Sequence, residues 1–138
     1  MKAIILIIIS LILYAEPIKL INSKTPILNY EMLDKFSHTK KLKSTFDLQN
    51  YQYTFVYLKD LKNLLCKHAR AIKFSAIDNY EVIFTKEETK HPNIVFAYKI
   101  NNKKININKK GPAKIIYLSH PKPLKEIFLI NKIECINE

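Results

Sequence analysis

The sequence predicts a single β-rich α+β domain, and three observations carry that prediction. The chain has 138 residues, the size of one ordinary domain. Hydrophobic residues make up 48% of it, too many for a disordered chain despite a formal charge of +11. Most apolar residues alternate with polar ones at a period of two, whereas one stretch alone holds a helical period over several turns.

The entry into the chain is a processing signal rather than an element of the fold. Met1-Lys2 precedes an apolar stretch from Ala3 to Leu13, and polarity resumes at Glu16-Pro17. A positive charge ahead of about eleven largely apolar residues fits a secretory signal and is too short to span a bilayer comfortably, which takes roughly 18. The expectation is a signal peptide over 1–15, cleaved after Ala15, and a domain over 16–138. The mature protein is then periplasmic or secreted, with no membrane span left after cleavage. Cys66 and Cys135 fall in an oxidising compartment, where pairing would contribute ~4 kcal/mol through the closed loop; their spacing does not decide whether they meet.

From Pro17 to Asn22 the pattern is that of a first strand, with Ile18 and Leu20 on one side. Met32, Leu33 and Phe36 have helical spacing and predict a short helix from Tyr30 to Phe36. Ser37 to Ser44, with Lys40, Lys41 and Lys43, reads as a solvated loop. Tyr51, Tyr53 and Phe55 alternate with Gln52 and Thr54, a strand. Leu58 to Ala69 is the clearest helix: Leu58, Leu61, Leu65 and Ala69 share one stripe, and His68 falls inside it as a core histidine. The runs Ile72–Ala76 and Tyr80–Phe84 flank Asp78-Asn79, two residues that tolerate positive φ, and predict a β-hairpin. Thr85-Lys86-Glu87-Glu88 is a capping box opening a single turn. Asn93 to Ile100 is a strand, Asn101-Asn102 a tight turn, and Lys103 to Asn108 alternates again through Ile105 and Ile107. Ala113 to Leu118 is an apolar strand, and Leu124 to Cys135 closes the chain as another.

Composition excludes several functions. Gly111 is the only glycine, so neither a P-loop nor a dinucleotide fingerprint can be written. The chain is crowded with Ile, Lys and Asn, as an AT-rich coding bias produces, and Arg70 is its only arginine. Lysine supplies counterion release without the planar, bidentate fork that reads bases, so sequence-specific nucleic acid is not an expected partner. No G-x-S-x-G elbow or H-E-x-x-H helix occurs. Cys66-Lys67-His68 lacks the spacing of a zinc knuckle, so no metal ligands are assigned. His91 and His120 each precede proline in a loop.

The order of segments carries one resemblance. Phe55 to Leu65 resembles the strand-into-helix passage of the oxidoreductase molybdopterin-binding domain, the sulfite-oxidase fold. Ala76-Ile77-Asp78-Asn79-Tyr80-Glu81-Val82 is similar to that family's hairpin, and Ile94 to Tyr98 with Asn101-Asn102-Lys103 to its apolar strand and turn. Lys110-Gly111-Pro112 with Ile115-Ile116-Tyr117 resembles its Lys-Gly-Pro segment, Tyr30 to Asp34 the short helix of small exported members, and Ile130 to Cys135 its last strand. The resemblance implies a sulfite-oxidase-like α+β fold over Tyr30 to Cys135, molybdopterin as the cofactor to consider, and Tyr80, Lys110, Gly111 and Pro112 as cofactor-binding positions. In that turn Gly111 permits close backbone approach and Lys110 supplies charge.

One departure matters. The family's molybdenum-liganding cysteine precedes the strand that enters the helix, and the corresponding stretch, Ser44 to Tyr53, offers Ser44, Thr45 and Asp47 but no thiol. Without that soft ligand, the expected function is an exported ligand-binding or signalling module whose partner is a small anionic ligand or another protein. Two alternatives accompany it: a molybdenum-dependent oxidoreductase with non-cysteine ligation, and a basic exported protein that binds anionic surfaces.

Overall fold

The computed structural model describes residues 17–119 and 125–137. The expected signal segment and His120 lie outside the described residues. Two β-sheets and two short helices build a β-rich α+β fold. Strand β1 (Lys19–Ile21) leads to helix α1 (Tyr30–Asp34), β2 (His38–Lys43), β3 (Asn50–Tyr57) and helix α2 (Leu58–Leu65). Then come β4 (Ala71–Ala76), β5 (Glu81–Thr85), β6 (Ile94–Ile100), β7 (Lys103–Lys104), β8 (Lys114–Tyr117) and β9 (Ile130–Ile136).

The first sheet has the order β1-β9-β4-β5. Its β1 runs parallel to β9, and the other two pairings are antiparallel. The second runs β2-β3-β6, and β7 and β8 both pair with β6. The inward residues of both sheets meet in one core: Ile72, Phe74 and Ile133 from the first, Val56, Phe96 and Ile115 from the second. Phe74 stacks on Phe96 across that layer with ring centroids 6.0 Å apart. Leu58, Leu61 and Leu65 of α2 close the same core, as their spacing requires. The opposite face of the second sheet carries its own cluster, Tyr53, Phe55, Val95, Ala97 and Ile105.

Local chemistry explains the element ends. Asn29 caps α1 by accepting from the Glu31 N–H at 2.9 Å, and Asp34 at its other end accepts from the Tyr98 hydroxyl at 2.6 Å. The capping box forms as written: Glu88 N–H donates to the Thr85 hydroxyl at 3.2 Å and Thr85 N–H to the Glu88 carboxylate at 3.1 Å. Asn79 takes φ 71° in the β4–β5 hairpin, and Asn101 and Asn102 take 51° and 64° between β6 and β7. Asparagine thus does the work of the missing glycines. Cys66 and Cys135 are joined, with Cα atoms 5.3 Å apart, tying the end of α2 to β9. No helix among the described residues is long and apolar enough to cross a membrane.

Four expectations need correction. Ser37–Ser44 is not a loop: His38–Lys43 is the edge strand β2, paired with β3 along its full length. Its three lysines are what an edge uses to discourage further pairing, and they hid the strand. Helix α2 stops at Leu65 rather than Ala69 because Cys66 turns to φ −139° toward the disulfide. His68 consequently leaves the stripe and is exposed. The run Lys103–Asn108 pairs only over Lys103–Lys104, then coils into a 3-10 turn at Ile107–Lys109. The closing segment becomes a strand only at Ile130.

Candidate functional site

Strand β8 carries a lysine in the middle of an apolar run, and that lysine organises the site. Lys114 stands opposite Ala97 on β6, and Tyr53 stands opposite Ile100 on the other flank of the same strand. Ala97 is small and leaves room above β6 for the lysine stem to cross toward β3. The Lys114 Nζ donates to the Tyr53 hydroxyl at 3.2 Å, and only 1% of the residue is exposed. Three rings surround the ammonium: Phe46 at 4.4 Å, Tyr53 at 5.1 Å and Phe128 at 5.4 Å from Nζ to ring centroid. Rings in this arrangement attract a cation by about 2 kcal/mol when water is excluded. Burial pushes the amine down to about 8; Asp47 and Glu126 oppose that shift, and Lys110 and Lys109 add to it. Burial also raises the Tyr53 phenol, against the pull of the Ser44 hydroxyl.

The loop between β2 and β3 places Phe46 over this amine. Ser44 N–H donates to the Gln49 carbonyl at 2.8 Å and Leu48 N–H to the Ser44 carbonyl at 3.0 Å. Phe46 N–H donates to the Ser44 hydroxyl at 3.3 Å. Asp47 accepts from the Tyr51 hydroxyl, and Phe46 lies parallel to the Tyr51 ring at 6.2 Å. Lys109 sits on Tyr51, 4.6 Å above it. The loop is therefore held by its own hydrogen bonds and by a neighbouring turn, which keeps Phe46 in position above Lys114.

Beneath Phe46 a cavity of about 260 Å³ opens between the loop, β3, β8 and the segment before β9. Leu42, Ile116, Leu118 and Phe128 give it apolar walls; Lys43, Ser44, Thr45, Tyr53, Lys114, Ser119 and Glu126 supply polar groups. Thr45 donates to the Glu126 carboxylate at 2.9 Å. A concave site with apolar walls and a few convergent polar groups is the usual form of a small-molecule site.

The four positions implied by the resemblance lie elsewhere. Lys110 adopts φ 69°, ψ 23° and ends the 3-10 turn. Gly111 and Pro112 are buried. A side chain at 111 would fall inside the Ile105 carbonyl, so the close approach that Gly111 permits is made by the chain itself. Tyr80 is 53% exposed at the tip of the β4–β5 hairpin. The two regions share one neighbour: Leu129 N–H donates to the Lys110 carbonyl and Ile77 N–H to the Leu129 carbonyl, both at 2.9 Å. None of the four lines the cavity. The Lys-Gly-Pro turn does lead directly into Lys114, the residue that sequence reasoning missed. Its signal was a single charge inside the apolar run Ala113–Leu118.

A molybdenum centre of the kind the resemblance implies is held by a thiolate. Both cysteines are spent on each other, and they belong to the core on the other side of the second sheet. In the Ser44–Tyr53 stretch, Thr45 and Asp47 are engaged by Glu126 and Tyr51. The donor set does not fit a thiolate-held metal. Compared with known proteins, the chain matches no family model and no curated protein.

Proposed function

We propose that the protein is a ligand-binding module that takes a small organic anion into the cavity at Lys114. One observation carries this reading. Lys114 is a desolvated cation with one hydrogen bond to protein, and no carboxylate among the described residues lies within 4.0 Å of it. Burying a charge without a counter-charge is costly, and an anion entering the cavity relieves that cost. The volume of about 260 Å³ sits just below the range of drug-sized sites, ~300–1,000 Å³. The ligand is therefore small.

The order of segments supports relating this arrangement to the sulfite-oxidase-like fold, with the same protein exported as a module that does not use molybdenum. The cavity lies between Ser44–Thr45, in the segment to which the resemblance assigns the metal ligand, and the strand that follows the Lys110-Gly111-Pro112 turn. On this reading the site keeps its place and exchanges a metal for an ammonium.

Titration calorimetry with inorganic phosphate and a panel of short-chain carboxylates tests the proposal. Saturable carboxylate binding that disappears in Lys114→Met, with circular dichroism unchanged, is the expected result. Binding that survives Lys114→Met refutes it.

A further inference from the structure

The Lys114 cavity holds a second charge of the opposite sign. Glu126 lines the same space, its carboxylate fixed by the Thr45 hydroxyl at 2.9 Å. The two charges have not collapsed onto each other: Lys114 and Glu126 are farther apart than ion-pair contact, and neither is ion-paired with any other described residue. Lys114 is held back by Tyr53 and the three rings, Glu126 by Thr45. Lys43 also lines the cavity but is exposed, so its charge is screened by solvent; the buried Lys114 and the Glu126 carboxylate, set apart from each other, are complementary to a ligand carrying both charges in reverse order. Between them the walls are Leu42, Ile116, Leu118 and Phe128, which favour an apolar body.

We propose that the ligand is a free α-amino acid with an apolar side chain, its carboxylate on Lys114 and Tyr53 and its ammonium on Glu126. The inference rests on the anion-binding reading above and narrows it to a zwitterion. Two features of the site favour this class over a simple anion. A phosphate or other dianion gains from Lys114, and only weakly from the solvent-screened Lys43, but is repelled by Glu126, and the cavity lining includes no arginine fork to hold it. A monocarboxylate satisfies Lys114 and leaves the Glu126 carboxylate to be desolvated unpaired.

Titration calorimetry on the full chain with L-valine, L-leucine and L-phenylalanine, beside 4-methylpentanoate and isoamylamine, decides the question. The last two are leucine without its ammonium and without its carboxylate. At least one amino acid is expected to bind saturably, and removing either charge from leucine to weaken binding about 10- to 100-fold, the range of a hydrogen bond to a charged group. Glu126→Gln is expected to collapse the preference for leucine over 4-methylpentanoate, and Lys114→Met to abolish binding of both. If 4-methylpentanoate binds as tightly as leucine, the zwitterion is refuted and the anion reading stands. If the binding of both survives Lys114→Met, both readings fall. Absence of binding by all three amino acids refutes the inference, and the carboxylate panel then tells whether the anion reading falls with it.

Discussion

Two lysines are buried among the described residues, and they are solved in opposite ways. Lys62 and Lys114 are 3% and 1% exposed, and burial lowers the pKa of each. Lys62 lies on α2 and turns its amine onto the end of its own helix, donating to the carbonyls of Cys66 at 3.1 Å and Lys67 at 3.3 Å. The Cys66 carbonyl, at the helix cap, also accepts from the Ala69 N–H at 3.1 Å, and a cation there meets the negative end of the helix dipole. The amine is spent on structure. Lys114 makes one hydrogen bond and faces a cavity. Burial alone therefore does not mark a site here; donors left over beside open space do.

The comparison can be broken at several points, and the largest effect falls on the Lys62 side. Opening the Cys66–Cys135 disulfide, whose sequence separation is 69, should cost ~4 kcal/mol of stability in the chain-entropy model. Urea denaturation of the oxidised protein and the double serine variant measures it. Below the lowered midpoint, ligand affinity at Lys114 should be retained. A loss of affinity would mean that the two regions are coupled.

Lys114→Met should abolish saturable ligand binding while leaving the urea midpoint unchanged or raised, because an apolar side chain replaces a buried cation. Lys62→Met should do the reverse. It should lose ~1–3 kcal/mol with the two charged hydrogen bonds to the Cys66 and Lys67 carbonyls, with the affinity of the Lys114 site unaltered. If both variants move stability equally, the distinction between the two lysines fails.

The smallest effect is a pH dependence. Lys114 titrates at about 8 in the folded protein against 10.5 when unperturbed. Between those values the unfolded chain binds more protons, so stability should rise with pH across that window. Lys62 adds to the same slope. Above pH 10 the slope reverses, because burial raises Tyr30 to about 12 and also raises Tyr98, which accordingly hold their protons in the folded state. The groups around Lys114 are Asp47, Glu126, Lys109, Lys110 and Tyr53, and the first two favour its charged form. Chemical denaturation at several pH values, wild type minus Lys114→Met, isolates its share. Ligand affinity should fall over the same rise through pH 8 as the ammonium is lost.

What the sequence disclosed followed from local chemistry. The two hairpin turns were readable because asparagine signals positive φ, and the capping box because its two partners sit three residues apart. The start of α2 was readable from its leucine stripe, whereas its end depends on Cys66 meeting Cys135, a contact between distant segments. Strand β2 was unreadable because it buries little on either face. The run through Ile105 and Ile107 alternates as a strand does, yet Ile105 is buried beneath Gly111 and Ile107 is half exposed. For Lys114 the alternation assigns a face of β8 but not what that face meets. Phe46, Tyr53 and Phe128 come from three other segments, and only the folded chain brings their rings around one amine.

The position of β9 has a consequence for the order in which the protein is made. This strand, Ile130–Ile136, is interior to its sheet, between β1 and β4, yet it is the last described strand to leave the ribosome. A nascent chain that stops short of residue 130 has the β4–β5 hairpin but no middle for the sheet, and Cys66 has no partner thiol. The segments of the first sheet must therefore wait, and β1 has nothing to lie parallel to until residues 130–136 are made. The second sheet, whose strands all precede residue 118, can pair before then, whereas the first closes only when β9 slides between β1 and β4.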